Sequence, residues 1–256
     1  EDQNGNHVVQ KCIEQMPPEK VKFIVDLVSD EIYRMSQHCY GCRVVQRLIE
    51  HCQPDQIASI IDGVLQKDYE MACDQYGNYV IQHILEHSVR SADRDAVVDL
   101  VCGRMQAMSC HKFASNIVEK CLVTCEADDR AKIIAAALGE TQAEEATAGQ
   151  EHPKQGIFTM MTDRFGNYVL QRMMDIVEGK QRDVFINILN QQRSVLGRYT
   201  YGKHIQLCLE KMIKERSDEQ KKNSPSDTAS GSGNGAEWSG NVPNPDSWGQ
   251  WGNAVN

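Results

Sequence analysis

The sequence predicts an all-α fold built as an array of repeats, and three observations carry that expectation. One phrase returns along the chain, anchored on a Gly or Ala at positions 5, 41, 77, 114, 166 and 202, with steps of 36, 36, 37, 52 and 36 residues. Ahead of each phrase, apolar residues fall at helical spacing, as in Val21, Phe23, Ile24, Leu27 and Val28. A fixed period in this range belongs to stacked supersecondary units, each burying its apolar face only against its neighbours.

In chain order, residues 1–16 hold a first phrase and its helix, which Pro17-Pro18 stops because proline lacks the amide that a continuing turn needs. Supporting helices are expected over 19–29, 56–65, 95–105, 130–138 and 182–189, each followed by a short connection and then the helix carrying the phrase. The long step of 52 comes from an insertion at 139–156, rich in Gly, Ala, Thr, Gln and Glu, which reads as a solvated surface loop. The array is expected to span 1–215. From 216 to 256 the composition turns to Ser, Gly, Asn, Asp and Pro, too poor in apolar residues to build a core, and a disordered tail is expected there. All three tryptophans, Trp238, Trp248 and Trp251, lie in that tail. They and the insertion are the candidate partner contacts. The alternative is a passive loop and an unconstrained tail.

The formal net charge is −9, of which −6 belongs to residues before Ser217, so any grip on a polyanion has to come from placed residues and not from bulk charge. Ten cysteines sit mostly at apolar helical positions, among them Cys12, Cys52, Cys73, Cys121 and Cys208, and read as small buried hydrophobes. Without a signal peptide or an apolar run long enough to span a bilayer, a cytoplasmic location and no membrane partner are expected. The chain opens without Met, just before a phrase, which suggests a piece of a longer protein.

The phrase itself carries the chemistry. On a helical wheel at about 100° per residue, with Cys42 at zero, Arg43 lies at about 100° and Gln46 at about 40°. Val44, Val45, Leu48, Ile49 and Cys52 fill the arc from about 200° to 340°. The helix therefore buries one face and shows three side chains on another. The second of these is His7, Arg43, Tyr79, Asn116 or Tyr168, and four of the five offer a flat ring or guanidinium on which an unstacked base can lie. The first and fifth change together: Asn6 with Gln10, Asn78 with Gln82, Asn167 with Gln171, Cys42 with Gln46, Ser115 with Glu119. A structural reading, in which Gly makes the turn, the preceding aromatic packs and Asn or Ser caps the helix, does not account for paired substitution or for Cys42.

The pairs suit base edges. Asn and Gln offer amide donors and acceptors that match uracil, whereas an ionised Glu119 only accepts and matches the N1–H and N2–H₂ donors of guanine. Gln46 can span adenine N1 and N6, with small Cys42 leaving room at C2. Lys11, Arg47, Lys120 and Arg172, each following a fifth position, are candidate phosphate contacts; the alternative is an intrahelical pair with an acid three residues on. Cys39 and Cys42 form a C-x₂-C with no second pair, so neither a metal nor a cofactor is expected, and no nucleophile pattern marks an enzyme. His111 and Cys110 read as loop and core.

These phrases, in this order, resemble repeats four to eight of the Pumilio/PUF RNA-binding domain, and Arg198 to Ile205 resembles its C-terminal cap. The resemblance implies a right-handed α-solenoid of three-helix repeats forming a crescent, with single-stranded RNA bound antiparallel, one base per repeat. Carried over, Asn167, Tyr168 and Gln171 read a 5′ uracil, Ser115, Asn116 and Glu119 a guanine, and Asn78, Tyr79 and Gln82 a uracil. Cys42, Arg43 and Gln46 then read an adenine, and Asn6, His7 and Gln10 a last uracil, giving 5′-UGUAU-3′. It also implies mRNA 3′ untranslated regions as targets, repression of translation or message stability, and deadenylase machinery as protein partner. The alternative class is an armadillo- or HEAT-like scaffold that binds an extended peptide.

Overall fold

The structure is a computed structural model that describes residues 3–139 and 153–223. Residues 1–218 form one unit, and of the second, 219–256, only 219–223 are described. The tail tryptophans and most of the insertion lie outside the described residues.

Helix α1, Gln3–Gln15, carries the first phrase. Three-helix units follow: α2 Pro18–Asp30, α3 Ile32–Ser36 and α4 Gly41–His51; α5 Pro54–Leu65, α6 Asp68–Cys73 and α7 Gly77–His87; α8 Ser91–Gly103, α9 Met105–Ser109 and α10 Ala114–Thr124. Then come α11 Ala127–Leu138, α12 Pro153–Thr162 and α13 Gly166–Ile176, and last α14 Gly179–Gln191, α15 Arg193–Leu196 and α16 Gly202–Asn223. What the apolar spacing gives as a short connection is thus a helix in every unit, of four to six residues except for the ten of α12. Four to six residues hold too few turns for a periodic pattern to show.

Several boundaries differ from the expectation, with α11 and α14 each starting three residues early, at Ala127 and Gly179. Helix α8 starts at Ser91 rather than 95, because its first turn is polar and invisible to apolar periodicity. Gly139 closes α11 in the left-handed conformation (φ 75°), where a side chain would be strained, and Pro153 opens α12, so helix takes over the end of the span read as loop. The last helix runs past 215 to Asn223.

The phrase helices pack side by side, α1 on α4, α4 on α7, α7 on α10 and α10 on α13. Supporting helices form a second layer, α2 on α5, α8 on α11 and α11 on α14. The apolar arc read from the wheel is the buried one: Val45 and Leu48 are fully buried, with Val44 and Ile49 nearly so, and Ile81, Ile84, Val118, Cys121, Leu170 and Met173 repeat the positions. Each such side chain contributes about 1.5–3 kcal/mol by leaving water. Cys121 is buried, while Cys12, Cys52, Cys73 and Cys208 are half-buried against the core, and all ten cysteines are free thiols.

The anchor glycines are required by a close approach, not by backbone conformation. A Cβ at Gly77 would sit 2.7 Å from the carbonyl oxygen of Met71, and one at Gly41 2.4 Å from that of Met35. The short helix thus ends against the start of the phrase helix, which sets where the reading residues emerge. In the unit at 114 the same place is taken by a fully buried Ala.

Candidate nucleic-acid interface

Five times over, the three reading positions have the same environment. The first is buried, at most 7% exposed, in Asn6, Cys42, Asn78, Ser115 and Asn167. The second is exposed in His7, Arg43, Tyr79, Asn116 and Tyr168, with the Tyr79 and Tyr168 rings 49% and 52% open to solvent. The fifth, Gln10, Gln46, Gln82, Glu119 and Gln171, is half-buried. Since the helices that carry them pack in sequence, the triplets form a row along one side of the array. Tyr79 on α7 and Tyr168 on α13, with Asn116 at the same position of α10 between them, offer exposed ring faces on which a planar ligand can stack.

Hydrogen bonding gives the first and fifth positions separate tasks. Asn78 donates its amide to the carbonyls of Asp74 (2.8 Å) and Gln75 (3.1 Å), and Asn167 does the same to Asp163 (2.8 Å) and Arg164 (3.0 Å). Both amide protons are then committed to backbone. The remaining oxygen of each accepts from the glutamine one turn on: Gln82 Nε2 at 3.1 Å, Gln171 Nε2 at 3.1 Å and, in the first unit, Gln10 Nε2 to Asn6 Oδ1 at 2.9 Å. In this conformation the asparagine holds the glutamine, and the glutamine offers the edge. With Nε2 committed to the asparagine, Oε1 is the acceptor left for a ligand, shared in Gln10 with the Arg47 guanidinium at 3.4 Å. It suits the N3–H of uracil and opposes the N3 lone pair of cytosine.

The other two units lack that holder. Cys42 directs its thiol to the Cys39 carbonyl (3.6 Å), so no asparagine stands beside Gln46 to hold it. Burial pushes the Cys42 thiol up to about 11, so it is a small neutral wall and not a thiolate ligand or nucleophile. Burial likewise raises the Glu119 carboxyl, and the nearby Arg172 guanidinium opposes the rise.

The helix starts are not capped as the purely structural reading supposed. The residues at the N-cap of α4, α7, α10 and α13 make no side-chain cap, and Asn78 and Asn167 donate where a cap would accept. The cap is the residue three before each anchor. Asp74 Oδ1 accepts from the amides of Tyr76 and Gly77, and Asp163 Oδ1 from those of Phe165 and Gly166, all at 2.8 Å. In the alternate units a histidine does this: His38 Nδ1 accepts from Tyr40 and Gly41 (3.2 Å each), and His111 Nδ1 from Phe113 (3.3 Å) and Ala114 (3.4 Å). His111 therefore has a defined structural role. The signal was present in the sequence as an Asp or His at one offset from successive anchors.

The candidate phosphate residues Lys11, Arg47 and Lys120 are paired with acids, Arg47 and Lys120 across units. Lys11 pairs with Glu14 (2.5 Å), and Arg47 with Glu50 on its own helix and with Glu14 (3.7 Å) and Gln10 Oε1 (3.4 Å) of the preceding one. His83 reaches back to Glu50 (2.8 Å) and Lys120 to Glu86. Arg47, His83 and Lys120 thus each meet an acid one turn past the fifth position of the preceding unit, while Lys11 pairs within its own helix. Where that acid is replaced by the exposed Val123, Arg172 lies near Glu119 instead. A glutamate four residues C-terminal to the reading position is the residue type that sequence reasoning missed as an inter-unit tie.

A model of the Pumilio-family RNA binding repeat matches residues 2–29, 31–65, 69–102, 104–136 and 156–189, one match around each of the first five anchors. The chain belongs to the Pumilio family. Over 196 residues it is 34% identical to Pumilio homology domain family member 4 of Saccharomyces cerevisiae, covering 74% of this chain and 20% of that protein. Over 74 residues it is 42% identical to Pumilio homolog 2 of Xenopus laevis, covering 29% of this chain and 6% of that one. The fold matches that of PUF-8 in complex with PBE-RNA with a TM-score of 0.72 at 40% identity, over 83% of this chain and 59% of that one. It matches the Puf3 RNA binding domain bound to a Cox17 RNA 3′ UTR recognition sequence at 0.69 and 30% identity, over 81% of this chain and 61% of that one. The chain therefore spans about a fifth of its first curated relative and about three-fifths of these solved domains. The α-solenoid expected from the repeats is the observed architecture.

Proposed function

We propose that this chain binds single-stranded RNA containing 5′-UGUAU-3′, one base per triplet, with the 5′ uracil at Asn167, Tyr168 and Gln171. The observation that carries the reading is the repeated arrangement of a buried holder, an exposed stacking group and a half-buried base-edge group on five adjacent helices. The Pumilio structures that resemble it are bound to RNA. A peptide-binding scaffold gives no reason for the holder and the edge group to change as pairs, and the row of exposed rings suits bases better than an extended peptide.

Bound in a message 3′ untranslated region, such a chain acts by bringing other proteins to the transcript. Repression of translation or stability, a cytoplasmic setting and deadenylase machinery as partner follow from the family resemblance. Among the described residues no helix is long and apolar enough to cross a membrane. The positive charges beside the readers serve phosphate only in part, since their first partners are the acids of the neighbouring unit.

The test is fluorescence anisotropy with a short UGUAU RNA and its UAUAU counterpart at one fixed salt concentration. The guanine change is expected to cost roughly 1–3 kcal/mol, the range for a lost two-point base contact. Equal binding of the two RNAs by folded protein refutes the code.

A further inference from the structure

The strongest unassigned feature lies between the adenine-reading and second uracil-reading helices. His83 and His87, one turn apart on α7, face Glu50 of α4. One ligand atom from each lies within 4.8 Å of the other two. His83 Nε2 is 2.8 Å and His87 Nε2 4.0 Å from the same oxygen, Glu50 Oε1, and the two rings sit 5.1 Å apart, tilted by 33°. Tetrahedral Zn²⁺ with ligand bonds of about 2.0–2.1 Å has ligand-to-ligand edges of about 3.3 Å. The two measured edges bracket that value, so an ion is admitted by small rotations of side chains already in place.

We propose that Glu50, His83 and His87 form a binding site for one divalent first-row transition metal ion, of the Zn²⁺ type, that staples α4 to α7. Two imidazoles and a carboxylate select this class over Ca²⁺ or Mg²⁺, which take oxygen donors. The other carboxylate oxygen, Oε2, is held by Arg47 and lies 3.7 Å from His51. This fixes the carboxylate plane and leaves Oε1 for the metal, as outer partners of metal ligands do. An ion has a way in, because Glu50 and His87 line an open cleft of about 110 Å³ and their side chains are 16% and 42% exposed. Three protein ligands leave the fourth position open to water.

The histidines are visible in the sequence as an i, i+4 pair, but Glu50 stands 33 residues before His83 and only the stacking of units brings it there. The expectation of no metal rested on the cysteines, and the site uses none of them. Cys52 lines the same cleft, so the experiment has to separate thiolate from imidazole ligation.

The whole chain, stripped with a chelator, is titrated with Zn²⁺ against a chromophoric competitor and with Co²⁺ by visible absorption. One ion per chain is expected at this site, with tetrahedral Co²⁺ bands and no thiolate-to-cobalt charge transfer. His87→Ala, largely exposed and outside the core, should weaken binding more than about tenfold with unchanged helical circular dichroism, and Glu50→Gln should do the same. Failure to bind Zn²⁺, a thiolate band, or equal affinity in folded His87→Ala or Glu50→Gln overturns the proposal. RNA binding serves as a separate readout, since none of the three ligands is a base-reading residue.

Discussion

Glu119 offers the sharpest test of the reading face. In the proposed complex its carboxylate presents two acceptors to guanine N1–H and N2–H₂, both charge-assisted. In Glu119→Gln one acceptor becomes an NH₂, which either abandons one guanine donor or points a donor at a donor. The loss is that of one charge-assisted hydrogen bond with its desolvation, roughly 1.5–3 kcal/mol, or about a tenfold to hundredfold fall in affinity for UGUAU. Adding Ser115→Asn rebuilds the holder seen at Asn78 and Asn167, and the double variant should prefer UUUAU. The acid–base behaviour is a second readout. Burial raises the Glu119 carboxyl above the ordinary range, so protonation competes with guanine at a higher pH than for an exposed glutamate, and the guanine preference falls as pH drops through that raised value. For folding, a raised carboxyl favours the protonated native state. Its stabilisation is present below the unfolded value and lost as pH rises through the folded one, so Glu119→Gln should be the more stable protein at neutral pH and lose that advantage in acid. Anisotropy with the three RNAs across pH, beside thermal melts, measures both. A Glu119→Gln variant that keeps its guanine preference and its pH dependence refutes the assignment.

Three further outcomes are expected. Tyr168→Ala removes a half-exposed ring, so RNA affinity should fall by about 1–3 kcal/mol with little change in melting temperature; a melting shift without an affinity loss marks the ring as structural. Asp163→Ala orphans the amides of Phe165 and Gly166, with an expected cost of about 1–2 kcal/mol in denaturant unfolding, whereas Asp163→Asn should recover most of it. Gly77→Ala forces a Cβ to 2.7 Å from the Met71 carbonyl and should destabilise by about 1–3 kcal/mol, while Gly103→Ala, with no atom within 4 Å of the added carbon, should not; equal melts for the two variants contradict the close-approach account of the anchors.

Leu48 and Arg43 show why the reading face was legible. Whether a helical residue faces in or out follows from its offset along its own helix, and the wheel placed Leu48 in the core and Arg43 in solvent, as found. The wheel also put Cys42 on the presented face, where the structure buries it. An offset gives direction but not depth, and depth depends on how closely the short helix approaches. The caps at His38 and Asp74 are readable as an Asp or His three residues before each of four anchors, a signal that apolar periodicity does not carry. The role of Asn78 as holder was not readable, since its amide could as well have served a base as a backbone carbonyl.

The sequence by itself determined that this chain is a helical repeat array, where each phrase helix lies and which of its positions face away from the apolar arc, because 3.6-residue periodicity and a recurring phrase are properties of local segments. Only the tertiary structure decided which charges meet: Arg47 with Glu14, His83 with Glu50, Lys120 with Glu86, and Arg172 near Glu119 where Val123 breaks the pattern. Those meetings depend on the angle and spacing at which one unit stacks on the next. Side-chain packing across the whole interface sets that geometry, and no offset along the chain encodes it.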